Sequence, residues 1–511
     1  MTTARGGVST SILLGFDDAA ALAVPVAPPA SGETEVQPRT GTADAAARYG
    51  IDLGDLAERA GLTGAPGEAW TLHLPRRLLA SGPELPWEHL PARLILVGVG
   101  DGSPQALRRA GAALARQTRG LGRVVTTLGS EGGPQAPEAV RALIEGYLLA
   151  SYQLPTQATG TPAKSPATEL VLLGRHGERV ESAILDATVA ARATWLVRDL
   201  TNTPSSTKNP PWLAQRAVDL AGPLGLDVRV LGVPELAAQG FGGILAVGSG
   251  SVSEPRLVVV SYRPANETGK HVVVVGKGIT FDTGGISIKQ REAMVTMKTD
   301  MAGSAVALAT VLAAAELGLA HRVTAVLPLA ENHFGGSSYR PGDVVTMRSG
   351  RTVEVANTDA EGRMVLADAL AFADAELDPD ILIDVATLTG AASIGLGKQH
   401  GALFSDDASL VAGLEAAASV AGEPVWHMPL VEEYSAAVRS DIADLRQVPD
   451  HWKGAGSITA ALFLREFVGR RRWAHLDIAG PARTTSDKHE ITEGATGYGV
   501  RLLLRYLESL R

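Results

Sequence analysis

The second half of the chain is punctuated by short runs that are apolar almost without a break: RLVVVSYR (Arg256 to Arg263), HVVVVGKG (His271 to Gly278), RVTAVLPL (Arg322 to Leu329) and DILIDVATL (Asp380 to Leu388). A strand apolar on alternate positions needs one covered face, whereas a strand apolar at nearly every position needs two. The helix-like run MAGSAVALATVLAAAELG (Met301 to Gly318) falls between the second and third of these strands. The pattern is that of a sheet covered by helices, with ligands expected where strands end and loops begin.

The first third alternates in the same way, through RLILVGVG (Arg93 to Gly100), SPQALRRAGAALARQ (Ser103 to Gln117), RVVTTLG (Arg123 to Gly129), PEAVRALIEGYLLASYQ (Pro137 to Gln153) and ELVLLG (Glu169 to Gly174). This order predicts a β-α-β layered domain with a partly parallel sheet. LPTQATGTPAKSPAT, Leu154 to Thr168, reads as a surface loop within it. From Glu181 a long helical pattern runs into TNTPSSTKNPP, whose prolines end it. The expected fold class is α/β in two domains. Residues 1–177 form a smaller N-terminal α/β domain, 178–200 a linking helix, and 201–511 a larger catalytic domain with a helix-covered mixed sheet. The 511 residues are ample for two cores at roughly 150 residues per domain.

Composition narrows the function. With no cysteine there are no disulfides, thiolate metal sites or cysteine nucleophiles, and a reducing, cytoplasmic location is expected. Lys and Arg number 46 against 55 Asp and Glu, and the resulting −9 with no basic run makes nucleic acid an unexpected partner. The apolar N-terminal stretch is split by Asp17 and Asp18, so it reads as a strand and a turn and not as a leader. No run approaches the roughly 20 apolar residues that span a bilayer, and no membrane association is expected. HExxH, GxSxG and GxxxxGK[ST] are all absent. GVGDGS, Gly98 to Ser103, resembles a dinucleotide loop, but Ser103 stands in place of its last glycine and no acidic residue completes the pattern.

Three segments of the second domain carry the chemistry. HVVVVGKGITFDTGGISIK holds Lys277, Asp282 and Lys289; EAMVTMKTDMAGS holds Asp300; NTDAEGRM holds Asp359, Glu361 and Arg363. All lie at strand ends or helix starts, where distant parts of a chain converge. Taken alone, Asp300 before an apolar helix reads as an N-cap, and Lys289 and Arg363 as ion-pair groups. Taken together, Asp282, Asp300, Asp359 and Glu361 bring four negative charges that cannot be buried uncompensated. Two divalent cations about 3.5–4 Å apart would balance them and clamp a hydrolytic water. With mainly oxygen ligands, no Cys, and a single His at the opening of the first apolar strand (His271), Zn, Mn, Co and Mg are all arguable. A lysine could join such a site only as a neutral amine.

These segments resemble the M17 leucyl aminopeptidase family. VGKGITFDTGGISIK and NTDAEGRM are nearly its signature sequences, with Thr283 where serine is usual and Met364 where leucine is usual. The likeness extends through RDLTNTPSSTKNP, DVATLTGA, GSITAALFLREF, WAHLDIAGPA and GATGYGVRLL, from about Arg198 onward. The resemblance implies a two-metal aminopeptidase, a leucyl aminopeptidase, using Mn or Zn. Asp282 and Glu361 would bridge the ions, Asp359 would complete one site, and Lys277 with Asp300 the other. Lys289 would hold the scissile carbonyl oxygen, and Arg363 a bicarbonate that helps deprotonate the attacking water. Met297, Asn357, Thr387, Leu388 and Gly390 would surround the first side chain of a peptide with a free N-terminus, leucine and other apolar residues being preferred. The resemblance also implies a homohexamer. His475 and Asp477, in WAHLDIAGPA, read as packing and hydrogen-bonding residues. A DNA-binding or regulatory protein on the same fold, or another two-metal hydrolase such as a phosphatase, are the alternatives.

Overall fold

The computed structural model describes residues 7–11, 18–75, 84–129, 136–155, 159–160, 163–266, 269–449 and 454–510. The chain divides into two compact units: Met1–Ala191 with Ser486–Thr492, and Arg192–Thr485 with Glu493–Arg511. The division falls within the 25-residue helix Glu178–Asn202.

The first unit is built on a seven-stranded sheet in the order Gly7–Ser11, Glu169–Leu173, Arg123–Thr126, Ala19–Ala27, Arg93–Gly98, Ala69–His73, with Gln37–Pro38 beside Ala19–Ala27. Its central pairings are parallel, and Ala69–His73 closes one edge antiparallel to Arg93–Gly98. The expected partly parallel α/β sheet is thus present. Helices Pro104–Gln117 and Pro137–Ala150 pack closely because Gly111 and Gly146 face each other's backbone; a Cβ at Gly146 would lie 1.9 Å from the Arg108 carbonyl oxygen. Glu145, buried between them, sits 3.3 Å from Arg108 and 3.2 Å from Arg141. In the glycine-rich run after Arg93–Gly98, Ser103 caps the following helix by accepting from Ala106 N–H.

The second unit carries a nine-stranded mixed sheet in the order Val425–His427, Gly401–Phe404, Arg472–Asp477, Ile381–Ala386, His271–Gly276, Arg322–Asn332, Arg256–Tyr262, Asp227–Leu231, and Gly278–Asp282 extends it along Arg322–Asn332. The four central strands, from Arg472–Asp477 to Arg322–Asn332, are mutually parallel. His271–Gly276 is buried at every position, as its unbroken apolar run demands. Helix Ala302–Glu316, buried along nearly its whole length, covers this part of the sheet.

Because these strands run the same way, their C-terminal ends share one edge. Lys277, Asp282, Asn332, Thr387 and Asp477 all lie at that edge, at or one residue beyond a strand terminus. The edge is braced from inside the sheet. Asp384 accepts from Trp473 Nε1 at 2.8 Å and lies 2.6 Å from His475 Nδ1, all three fully or nearly fully buried. Burial opposes a charged His475, but Asp384 outweighs it and holds the imidazole pKa above its usual value. Asp477 accepts from Leu388 N–H, Thr389 N–H and Oγ1, and Ala479 N–H, fixing the turn after Ile381–Ala386.

Removing that carboxylate strands several buried donors at once. Asp477→Ala is expected to destabilise the catalytic unit by about 2–4 kcal/mol, read as a lower thermal-unfolding midpoint. An unchanged midpoint would mean that the turn is held without it.

Candidate metal centre

Each acidic side chain of the three segments is delivered by a different local device. Asp282 ends the strand Gly278–Asp282, and its Oδ1 accepts from Gly284 N–H at 2.8 Å in the tight turn that follows. Gly284 and Gly285 both take left-handed backbone, with φ of +86° and +64°, which a side chain would strain. Asp359 lies in the 3₁₀ turn Thr358–Ala360, entered through Asn357, whose side chain accepts from Asp359 N–H. Glu361 is the first residue of the buried helix Glu361–Phe372, a favourable place for a carboxylate.

Asp300 does not cap the helix that follows it. Helix Ala302–Glu316 has Met301 at its N-cap position and no side-chain cap, and Asp300 instead faces the cluster. Its Oδ1 lies 2.9 Å from Lys277 Nζ and accepts from Thr387 Oγ1 at 2.7 Å.

Lys277 and Lys289 supply the cationic charge. Lys277 Nζ is 2.8 Å from Asp300 Oδ2, 2.9 Å from Glu361 Oε1, and donates to the Thr387 carbonyl at 3.1 Å. Its passage requires Gly362, where a Cβ would sit 2.3 Å from Lys277 Cε and 2.6 Å from Nζ. Lys289 Nζ is 2.7 Å from Asp282 Oδ2 and also pairs with Asp359. Burial works against both ammonium charges, but the surrounding carboxylates outweigh it and raise both pKa values.

Two lysines do not balance four acids. Burial, then the neighbouring Glu361 and Asp300 charges, pushes Asp282 up to about 8, and burial raises Asp300 to about 6 and Asp359 above the usual carboxylate range. Glu361 is held low because Lys277 and Lys289 outweigh its burial. Asp300 Oδ2 and Asp359 Oδ1 are buried with no hydrogen bond aligned to them, although each lies beside a lysine. Asp282, Asp359 and Glu361 can each place one oxygen within 4.8 Å of the others. Unmatched negative charge, unsatisfied oxygens and a donor set made mainly of carboxylates fit divalent cations.

Arg363 is buried one turn into the same helix and bonds none of the acids. One guanidinium N–H donates to the Gln447 carbonyl at 2.7 Å, while Nε is buried without an acceptor; burial lowers its pKa to about 10. Of the expected pocket residues, Thr387 bonds Asp300 and Lys277 directly, and Asn357 adjoins Asp359. Met297 lies in the turn Met297–Thr299 just before Asp300. Leu388 is partly buried against the core, and Gly390 opens the helix Gly390–Leu396.

Two residues of the site were not anticipated. Asn332, fully buried, donates its amide to Asp282 Oδ1 at 2.7 Å and the Thr358 carbonyl at 3.0 Å, with Glu361 Oε2 at 3.5 Å. Its signal was a polar residue closing the apolar run that begins RVTAVLPL. Gln447 accepts from Ala356 N–H and Asn357 N–H and donates to the Ala360 carbonyl, clamping the loop that carries Asp359. Nothing in its local sequence marks it, because all its partners lie about 90 residues away.

The chain matches the descriptions "Cytosol aminopeptidase family, catalytic domain" over residues 195–504 and "Cytosol aminopeptidase family, N-terminal domain" over residues 32–156. It is 42% identical over 432 residues to a probable cytosol aminopeptidase of Geobacter sulfurreducens, covering 82% of this chain and 86% of the relative. A probable cytosol aminopeptidase of Leifsonia xyli subsp. xyli is 45% identical over 428 residues, covering 81% and 85%. Among solved structures, the bottromycin maturation enzyme BotP in complex with Mn superposes with a TM-score of 0.82 at 35% identity, over 96% of this chain and 99% of BotP. With matches in both parts of the chain and relatives this similar over four-fifths of it, the protein belongs to the cytosol aminopeptidase family.

Proposed function

We propose that the protein is a leucyl-type metallo-aminopeptidase, acting in the cytoplasm as a homohexamer and removing leucine or other apolar residues from the free N-termini of peptides. The observation that carries this reading is the cluster of Asp282, Asp359 and Glu361 oxygens within 4.8 Å of one another, beside Asp300 and two lysines. Asp282, Asp300, Asp359 and Glu361, with Lys277 joining as a neutral amine, would hold two divalent cations. When bound, the cations supply Lewis acidity and lower the pKa of a water. Manganese is favoured over zinc by the likeness to BotP, which was solved with Mn.

The chain's own residues do the rest. Lys289 keeps its proton, because Asp282 and Asp359 stabilise the ammonium, and so can hold a peptide carbonyl oxygen as negative charge develops there. Arg363 would hold a bicarbonate: its Nε is buried without an acceptor, and the one histidine of the three segments, His271, lies at the opposite end of its strand from Lys277, against Thr324, and cannot serve as a base there. Met297, Asn357, Thr387, Leu388 and Gly390 would shape the pocket for the first side chain. Asn332 would act as a positioning residue, orienting Asp282 and Glu361 before the ions arrive.

Metal-stripped protein is expected to regain hydrolysis of leucine p-nitroanilide on addition of Mn²⁺ or Zn²⁺. The N-acetylated substrate stays uncut and Glu361→Ala stays inactive; cleavage of both substrates, or of neither with metal bound, would exclude an aminopeptidase. Lys289→Ala should lower kcat by about 10²–10³-fold with a smaller change in KM, and steady-state kinetics showing an unaltered kcat would remove it from the mechanism. Asn332→Ala should weaken metal binding by roughly 10–100-fold in calorimetric titration; wild-type affinity in that variant would reduce Asn332 to packing.

A further inference from the structure

The first unit carries an open, partly polar cleft of about 270 Å³, apart from the three acidic segments. Helix Pro104–Gln117 presents Arg109, Ala113 and Arg116 to it, residues spaced by four and three that form one stripe of a helix, with Ala113 the small residue between the two arginines in sequence. Gln117 and His489 complete the polar wall, and Gly67 and Ala69 add no bulk. No carboxylate is among the described residues of the wall. Glu68, between Gly67 and Ala69 in sequence, is turned away onto Thr63 N–H and Oγ1.

The donors facing the cavity are short of acceptors. Arg109 makes no hydrogen bond or ion pair among the described residues. Arg116 donates from Nη2 to the Ile491 carbonyl at 3.2 Å, but its Nε is buried with no hydrogen-bond partner, and the Asp487 carboxylate stands 3.8 Å off. Gln117 Oε1 accepts from Thr71 Oγ1 at 3.2 Å, so the amide N–H groups are what it has left to offer. His489 is placed by a tight turn in which Lys488 and Ile491 exchange backbone hydrogen bonds of 2.9 Å. Its φ of +51° is a left-handed value that costs a non-glycine residue energy. Burial, and then the Arg109 charge, holds the imidazole below its usual pKa. Arg119 and Lys488 also stand nearby, with Asp487 and Glu490 as the acidic neighbours, and Asp487 is the strongest charge acting on Arg116.

We propose that this cavity binds a compact oxyanion carrying two or more negative charges, either a phosphate or a small polycarboxylate. Two arginines lining one cleft, with no carboxylate among its described lining residues, match the planar, paired oxygens of either group. The volume lies just under the roughly 300–1,000 Å³ of pockets for drug-sized ligands, which favours an ion over a nucleotide or peptide.

The test is calorimetric titration of the full-length, metal-loaded protein with inorganic phosphate, pyrophosphate and citrate, each against chloride at equal ionic strength. Saturable binding of at least one, with a Kd of about 1 mM or tighter, is expected. Arg109→Gln should weaken it by roughly tenfold or more, and Ala113→Leu, which fills the cavity without touching a charge, should abolish it. Binding of phosphate and pyrophosphate but not citrate assigns phosphate chemistry, and the reverse assigns a polycarboxylate. No saturable binding, or equal affinity in both variants, overturns the proposal; the second result would place the anion elsewhere, with Arg363 the first candidate.

Discussion

Three carboxylates, Asp282, Asp359 and Glu361, meet beyond the ends of buried strands in the catalytic unit, with Asp300 joined to them through Lys277, and like charges there repel with little solvent to screen them. The chain tolerates this through two lysines, each shared between two acids: Lys277 between Asp300 and Glu361, and Lys289 between Asp282 and Asp359. The compensation is partial. Asp282 and Asp300 stay harder to ionise than ordinary carboxylates, and two acidic oxygens keep no aligned donor. A site whose residual charge and open oxygens are both negative is preorganised for cations, and that imbalance is what the surrounding fold has to hold in place.

It does so with a framework that leaves the acids little freedom. Parallel strands set Asp282, Lys277 and Thr387 along one edge, and Asn332 ties the strand Arg322–Asn332 to Asp282 and to the loop at Thr358. Tyr339 donates from its hydroxyl to that same Thr358 carbonyl at 2.9 Å, and Gln447 grips the loop on both sides of it. Lys277 could not reach Glu361 unless residue 362 lacked a side chain. The lysine and the glycine that admits it lie 85 positions apart in the sequence, so neither is intelligible without the other.

How much of this could be read beforehand follows from the range of the forces. The unbroken apolar runs announced the catalytic sheet because burial on both faces is a local demand on composition, and His271–Gly276 meets it at every residue. The acidic segments were legible because glycines and acids crowd together in each of them. Gln447 was not, since a single amide in a loop carries no pattern and its partners lie far away in sequence, and Asn332 showed only as a polar residue closing an apolar run, with nothing local to name its partners. The segment Ser486–Thr492 escaped for a related reason: it falls within the stretch assigned to the catalytic domain yet groups with the first unit, through contacts such as that of Arg116 with Ile491. Strand and helix patterns report local burial and cannot report where a short arm is anchored.

Asp300 shows how magnitude decides between a local and a tertiary role for one residue. A lone aspartate ahead of an apolar helix is a good N-cap, worth about 1 kcal/mol. Lys277 Nζ, fully buried, would without Asp300 lose one of its two nearest carboxylates. Breaking a buried ion pair by removing one member costs about 3–5 kcal/mol. The ion pair therefore prevails over the cap: the helix has Met301 at its N-cap position and no side-chain cap, and the aspartate turns to the lysine and to Thr387. The missing cap is the smaller loss, and it marks the point at which the needs of the site override the propensity of the sequence.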